Sequence, residues 1–333
     1  MNQTLKPHGM NIELTTCCPL RCPQCYCTLE GGKHIPLDVA RKRLAEAAAL
    51  GVEHVELSGG ETLCYPHLVE IIQLATEYGI TPSIAISGWH FDDSVLQQLI
   101  QAGIGSIYVS LNGPTEEENA KTRDGFSLAI NALEVLQRNN FENTVINWVM
   151  HRASVEYLPQ MIAVAEQYNV GAILVIEPKP TAQEILETYP TAEQIRFVAN
   201  AIKRNKSSVE LIVQHCFSPL LALSCENALW GNMNRGIYKG CTAGICSYCI
   251  NVDGDFVPCR HLDYPERWES TSDYWEKSST LQTLRSLDSA KREPCISCKF
   301  NNYCRHCLSV NSKINKELYL GNNYCRIAEI MDV

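Results

Sequence analysis

The chain contains no apolar run of about 18 residues, the length a membrane-spanning helix requires, and this excludes an integral helical membrane protein. Its first residues, Met1-Asn-Gln-Thr-Leu-Lys-Pro-His8, lack the apolar stretch of a secretory signal. Positive charge is scarce: 28 Lys and Arg stand against 37 Asp and Glu, for a net charge of −9. Phosphate backbones are bound mainly through Lys and Arg, so nucleic acid is not an expected partner. These absences point to a cytoplasmic protein that is not bound to a membrane. What remains is ordinary for a globular protein with a full core, at 45% hydrophobic and 20% charged residues. A length of 333 residues suggests one large domain and a small one.

Cysteine, by contrast, is abundant. There are 17, an odd number. Disulfides are rare in the cytosol, so clustered cysteines there read as metal or catalytic sites. The densest cluster is Cys18-Pro-Leu-Arg-Cys22-Pro-Gln-Cys25-Tyr26, which follows the alternating, strand-like run from Met10 to Thr16. Three thiolates in a loop leaving a strand can hold three irons of a cubane [4Fe–4S] cluster. Such clusters normally take four cysteines, so this spacing leaves one iron open to a ligand. A zinc knuckle or a disulfide loop is the rival reading of the same spacing.

Strand-like and helix-like segments then alternate. Helices are expected from Pro36 to Leu50, Pro66 to Tyr78, Asp92 to Ala102, Ser127 to Arg138 and Val155 to Tyr168. Gly51, Gly79 and Gly103 stand where the first three should end. Strands are expected at 53–58, 83–87, 106–111, 143–150 and 171–176. Six β-α units in a row predict a parallel sheet with helices outside, here a partial (β/α)6 TIM-type barrel in the α/β class. The predicted layout is a barrel over 1–180, a bridging region over 181–240 and a small cysteine-rich C-terminal iron–sulfur domain over 241–333.

In parallel β/α folds the chemistry gathers in loops after the carboxyl ends of strands. The cysteine loop follows the first strand, Gly59-Gly60-Glu61 the second, Ser87-Gly88 the third, and Ser110-Leu-Asn112-Gly the fourth. Paired glycines let a backbone approach a ligand, and Glu61 presents a carboxylate. An ordinary β-α turn is the bland alternative. In the bridging region, 191–203 reads as a helix and 209–213 as a strand. Lys203 to Lys206 reads as a solvated basic loop, and Cys216 and Cys225 as buried thiols. Trp230 to Asn234 is able to line a pocket or merely to pack.

Nine cysteines fall between Cys241 and Cys325. The run Asn251 to Cys259 reads as a hairpin with Asp253-Gly254 at its turn. Cys295, Cys298, Cys304 and Cys307 follow in close order. Eight cysteine ligands would serve two [4Fe–4S] clusters, or the pairs would hold structural zinc.

The cysteine loop with Tyr26 after its third cysteine resembles the signature of the radical S-adenosylmethionine (radical SAM) superfamily. The resemblance implies that SAM chelates the open iron through its amino and carboxylate groups and is cleaved to a 5′-deoxyadenosyl radical. It also implies SAM contacts from Gly59, Gly60, Glu61, Ser87, Ser110, Asn112, Arg123 and Tyr26. Asn112 is an amide where the family usually has Asp. The C-terminal cysteines resemble the SPASM extension of that family. By its interleaved ligation, Cys241, Cys246, Cys259 and Cys307 would hold a first auxiliary cluster, with Cys249 competing with Cys246. Cys295, Cys298, Cys304 and Cys325 would hold the second. One spacing departs from the SPASM pattern, with two residues rather than three between Cys304 and Cys307.

The resemblance implies an enzyme that abstracts hydrogen from a residue of a ribosomally made precursor peptide. Crosslinking, epimerisation or backbone excision would follow. A folded-protein substrate of the sulfatase type, a small molecule, or a non-catalytic electron carrier are the alternatives. The core begins near residue 10, which leads to the expectation of a separate leader-peptide-binding protein, alongside an electron donor. No catalytic acid, base or hydrogen donor is assigned, although Cys17, Cys27, Cys64, Cys216, Cys225 and Cys249 are spare thiols.

Overall fold

The computed structural model describes residues 5–27, 29, 32–179, 185–224, 240–298, 300–302, 304–315, 317–318, 320–321 and 325. Cys225 and the Trp230 segment lie outside the described residues. Among the described residues no helix is long and apolar enough to cross a membrane.

The expected strands are present as β1 (Gly9–Thr15), β2 (His54–Gly59), β3 (Thr81–Ile86), β4 (Ser106–Ser110), β5 (Thr144–Val149) and β6 (Ala172–Ile176). They lie side by side in sequence order, all parallel. Alternate residues such as Ile12, Leu14, Leu57, Ile84, Ile107 and Ile146 are fully buried. Each fully buried side chain of that size contributes about 1.5–3 kcal/mol. The outer layer comprises α1 (Leu37–Ala49), α2 (Leu68–Glu77), α3 (Asp93–Gln101), α4 (Glu116–Ala120), α5 (Phe126–Arg138) and α6 (Leu158–Gln167). Their apolar stripes face inward, as with Ala129, Ala132, Leu133 and Leu136 of α5. Pro36 is the N-cap of α1 rather than its first residue, and Gly51 leaves the helix at φ +79°.

The sheet goes further than six strands. The bridging region supplies β7 (Glu210–Val213), parallel to β6 and flanked by the helices α7 (Ile185–Thr188), α8 (Ala192–Arg204) and α9 (Ser218–Ser224). At the opposite edge, β8 (Ser247–Ile250) pairs in parallel with β1. Its antiparallel partner β9 (Phe256–Val257) completes the expected hairpin, with Gly254 at φ +82° donating to the Asn251 carbonyl at the turn. The strand order is β7-β6-β5-β4-β3-β2-β1-β8-β9. The cysteine-rich module is therefore joined edge-on to the barrel sheet through its own hairpin. Arg43 of α1 reinforces the seam, its guanidinium 4.2 Å above the Phe256 ring and hydrogen-bonded to the Trp268 carbonyl. Further on come α10 (Thr271–Lys277), α11 (Ser279–Ser286) and α12 (Leu308–Asn315).

Candidate functional site

A cavity of about 230 Å³ opens at the carboxyl ends of β1 to β6. Cys18, Cys22 and Cys25 all line it, together with Tyr26, Gly59, Gly60, Glu61, Ser87, Ser110 and Arg123. Motifs spread over more than a hundred residues of sequence meet there.

The cysteine loop is held by its backbone. Cys17 N–H donates to Thr15 Oγ1 at 2.9 Å, and Cys25 N–H to the Cys22 carbonyl at 3.0 Å. Arg21 N–H donates to Asp124 at 2.8 Å, and its guanidinium turns back onto the Cys18 and Leu20 carbonyls. The Cys25 thiol is lowered to about 6, chiefly by the Cys27 thiol bonded to it, with help from Arg123 and Arg21. Burial raises the Cys18 thiol. A thiolate is the form that ligates metal, and the surroundings of Cys25 favour that form. Cys27 also lines the cavity, whereas Cys17 is not among its lining residues and pairs with Cys64.

The two glycines are required by the loop itself. Gly60 N–H donates to the Thr15 carbonyl at 2.7 Å, and Glu61 N–H to the Cys17 carbonyl at 2.8 Å. A Cβ on Gly60 would meet the Cys17 carbonyl oxygen at 2.5 Å, and one on Gly59 would meet that of Thr15 at 2.4 Å. Their smallness thus brings the end of β2 against the cysteine loop, and the close approach expected toward a ligand is made toward the chain itself.

Glu61 is 2% exposed. One carboxylate oxygen accepts from the Ser87 N–H at 2.8 Å and from the Ser87 hydroxyl, and the other accepts from Leu63 N–H at 3.2 Å. Burial raises its pKa against those bonds and the nearby Arg123 charge. Arg123 is presented by a loop that Asn119 organises, accepting from Asn112 and Gly113 N–H and donating to the Arg123 carbonyl. Its Nε is buried without a partner, as are Gln24 Oε1 and Asn147 Oδ1 in the same cavity wall. A carboxylate can accept about four hydrogen bonds, so Glu61 has capacity left for an ammonium. Arg123 offers an unused donor to a carboxylate. The arrangement suits a zwitterionic, amino-acid-like ligand beside three metal-ligating thiols, and so passes the chemical test for SAM on a three-cysteine cluster.

Asn112 is a correction to the expected contacts. It is 1% exposed and does not line the cavity. Its Oδ1 accepts from Val149 N–H at 3.0 Å and its Nδ2 donates to Thr122 Oγ1 at 2.9 Å. The amide ties the end of β4 to β5 and to Thr122, away from the cavity.

Several cavity residues escaped sequence reasoning. Glu177 and Lys179 follow β6, where the strand-end rule was able to find them. His151, which follows β5, also lines the cavity, and burial lowers its pKa. Arg260 and His261 return from the cysteine module, and no local signal marks them. Arg260 bonds Glu56 at 2.6 Å, and His261 packs edge-on against Tyr26 with ring centroids 4.3 Å apart.

A second cavity of about 420 Å³ lies between the barrel and the module. Cys216, Cys241, Cys249, Cys259 and Cys307 line it, and Cys246 does not. The Cys249 thiol is turned to Asn11 Oδ1 at 3.4 Å and the Ile250 carbonyl at 3.5 Å. Cys246 has Cys241 as the charged neighbour that, after burial, raises its thiol. Farther out, Cys298, Cys304 and Cys325 pack around Phe300. Cys216, expected as an isolated buried thiol, instead hydrogen-bonds Cys307.

Comparisons with known proteins agree with this geometry. Over 313 residues the chain is 26% identical to the PqqA peptide cyclase of Granulibacter bethesdensis, covering 88% of this chain and 79% of that protein. It is 29% identical over 321 residues to the PqqA peptide cyclase of Methylorubrum populi, with 88% and 77% coverage. Among solved structures, Streptococcus suis SuiB bound to the precursor peptide SuiA superposes with a TM-score of 0.77 at 18% identity, covering 97% of this chain and 77% of that one. The structure of anSMEcpe with bound AdoMet gives 0.75 at 17% identity, covering 98% and 97%. These structures share the fold of the chain. Residues 12–165 match the family described as the Radical SAM superfamily, which implies a [4Fe–4S] cluster and SAM, and the barrel belongs to that superfamily.

Proposed function

We propose that this chain is a radical SAM enzyme that modifies a ribosomally synthesised precursor peptide. One observation carries the reading: three thiols, a buried carboxylate and a guanidinium with an unpaired donor converge on one cavity at the barrel rim. Cys18, Cys22 and Cys25 would hold the [4Fe–4S] cluster. Glu61, braced by Ser87, would receive the amino group of SAM, and Arg123 its carboxylate. Gly59, Gly60, Ser110 and Tyr26 would form the remaining wall. When bound, the cluster and SAM supply a 5′-deoxyadenosyl radical that takes hydrogen from a peptide residue. The protein holds the reactants in line and keeps water from them, which is how positioning alone lowers a barrier.

The relatives named as peptide cyclases favour a crosslink over epimerisation or backbone excision. SuiB, seen with a precursor peptide, supports a peptide substrate. The proposal includes a separate leader-binding protein, an external electron donor and a cytoplasmic site of action. Cys241, Cys246, Cys259 and Cys307 would ligate a first auxiliary cluster, with Cys249, which lines the same cavity as Cys241, Cys259 and Cys307, competing with Cys246 for the fourth place. Cys295, Cys298, Cys304 and Cys325 would ligate the second. The proposed domains are a barrel over 1–180, a bridge over 181–240 that lends β7 to the sheet, and an auxiliary-cluster domain over 241–333.

The test is 5′-deoxyadenosine formation after anaerobic reconstitution with iron and sulfide, given SAM, a strong reductant and the candidate precursor peptide. The expected result is product from the parent chain and none from Cys22→Ala. A parent chain that holds its iron and peptide yet cleaves no SAM would overturn the reading. A pull-down with the precursor that yields no small partner would overturn the leader-protein part alone.

A further inference from the structure

One buried charge has no part in the chemistry above. Lys179 follows β6, and its side chain is 6% exposed. Its ammonium lies 3.2 Å from Glu177 Oε2, 3.1 Å from Cys216 Sγ and 3.4 Å from Cys307 Sγ. Glu177 is fixed in turn by the Tyr189 hydroxyl, which donates to its other oxygen at 2.8 Å. The Cys216 and Cys307 sulfurs and a Glu177 oxygen all lie within 4.8 Å of one another. Lys179 lines both cavities and so forms part of the wall between them.

Taking an ammonium out of water costs several kcal/mol unless it is paired, and an apolar residue of similar size would stabilise the core as well. A lysine here is therefore explained by where its charge points. The ammonium has three donors; one goes to the carboxylate and two to sulfurs, one of them that of Cys307. The Cys216 thiol adds a further hydrogen bond to the same Cys307 sulfur. The potential of a thiolate-bound iron–sulfur group depends on local charge and on hydrogen bonds to its sulfurs. A fixed positive charge in a low-dielectric wall favours the form that carries one more electron.

We propose that Lys179 sets the reduction potential of the iron–sulfur group bound through Cys307, with Glu177 holding the ammonium in place and Cys216 as a second donor to the Cys307 sulfur. Lys179 is a positioning residue in this role, acting through Cys307 on the group it binds. The proposal rests on the reading that Cys307 is a cluster ligand.

The experiment uses the full chain with Cys18, Cys22 and Cys25 replaced by alanine, so that only auxiliary iron contributes. Its reduced signal is followed by electron paramagnetic resonance against applied potential, and the signal of interest is the one that Cys307→Ala removes. Lys179→Met is expected to lower the reduced-to-oxidised ratio about tenfold at fixed potential, equivalent to 59 mV for one electron. Lys179→Arg should stay close to the parent, and Glu177→Gln should move the midpoint upward, because it removes a negative charge. A purely structural role does not predict opposite signs for these two neighbours. An unmoved midpoint in Lys179→Met with iron and sulfide intact overturns the proposal alone. Should Lys179→Met lose its iron, Glu177→Gln decides, and a midpoint that fails to rise there also overturns it. If no signal in the parent depends on Cys307, the auxiliary-cluster reading falls and takes this proposal with it.

Discussion

At the barrel rim, the thiols of Cys18, Cys22 and Cys25 hang from the end of β1, a strand paired on both sides. The end of β2 bonds that loop through Glu61, and Thr122 and Asp124 bond it from the turn before α5. In the outer part of the C-terminal module, Cys295, Cys298 and Cys304 lie in turns whose backbone bonds reach only three or four residues along the chain. Phe300 is the one buried apolar anchor among the described residues that they gather around. The rim loop is anchored on strands of the main core, whereas the described part of this outer segment rests on local turns and on Phe300. In small cysteine-rich units the binding free energy of a metal is folding free energy. The two regions thus use cysteine for opposite ends, one to hold a reactive group on a finished scaffold and the other to complete a scaffold.

The largest expected effect follows from that contrast. Removing iron with a chelator under anaerobic, reducing conditions should leave the barrel folded and loosen the module. Limited proteolysis should cut first between 290 and 325, and segments of β2 to β6 should stay protected for longer by at least a factor of about ten, the ratio that 1.4 kcal/mol of opening free energy provides. Mass spectrometry of the fragments reads this directly. Equal loss of protection in both regions would break the comparison, because the rim would then need its metal as much as the module does.

The same contrast decides what was legible in the sequence. Where a motif stands at a strand end, the alternation of β and α segments located it: Cys18, Glu61, Ser87 and Ser110 all meet at one rim. Glu177 and Lys179 obey the same rule after β6. What stayed hidden depends on packing across long separations. Nothing local places Arg260 and His261 against Tyr26, because the contact exists only once β8 pairs with β1. Cys216 looked isolated for a similar reason, since its partner Cys307 is 91 residues away and comes from the module. Asn112 misled in the opposite sense. It stands in a motif, at a strand end, and yet its carboxamide is turned into the sheet. Motif position reports where a backbone goes; hydrogen-bond capacity reports what a side chain is free to do.

A smaller effect sharpens the account of the rim. Gly60→Ala should act through the cysteine loop, since the new Cβ would sit 2.5 Å from the Cys17 carbonyl oxygen and 3.0 Å from Cys18 Cβ. Both neighbours belong to the segment that carries the ligands, so relief requires the loop to shift. Overpacking of this kind costs about 1–3 kcal/mol. The expected outcome is a lower melting temperature and fewer irons per chain at the three-cysteine site, with module iron unchanged. Normal iron at the rim in this variant would show that the loop has more freedom than its hydrogen bonds imply.

The smallest effect separates scaffold from chemistry at Asn112. Replacing it by Ala leaves the buried Val149 N–H without its acceptor and Thr122 Oγ1 without its donor. An unsatisfied buried group costs about 1–3 kcal/mol. Asn112→Asp puts a carboxylate in the same place, and its oxygens are able to accept from both partners if the Thr122 hydroxyl rotates. The new group sits at 1% exposure, so burial would raise its folded-state pKa above the unfolded value. The folded state then binds its proton more tightly than the unfolded chain does. The variant should therefore lose stability as pH rises through the unfolded pKa and on to the folded one, and should be closest to the parent in acid. Denaturation midpoints at pH 5 and pH 8 measure this. Neither variant should change the KM for SAM at a pH where it is folded, because Asn112 does not reach the cavity. A KM that falls in Asn112→Asp would mean that the carboxylate turns toward the ligand, and the line drawn here between scaffold and site at the end of β4 would have to move.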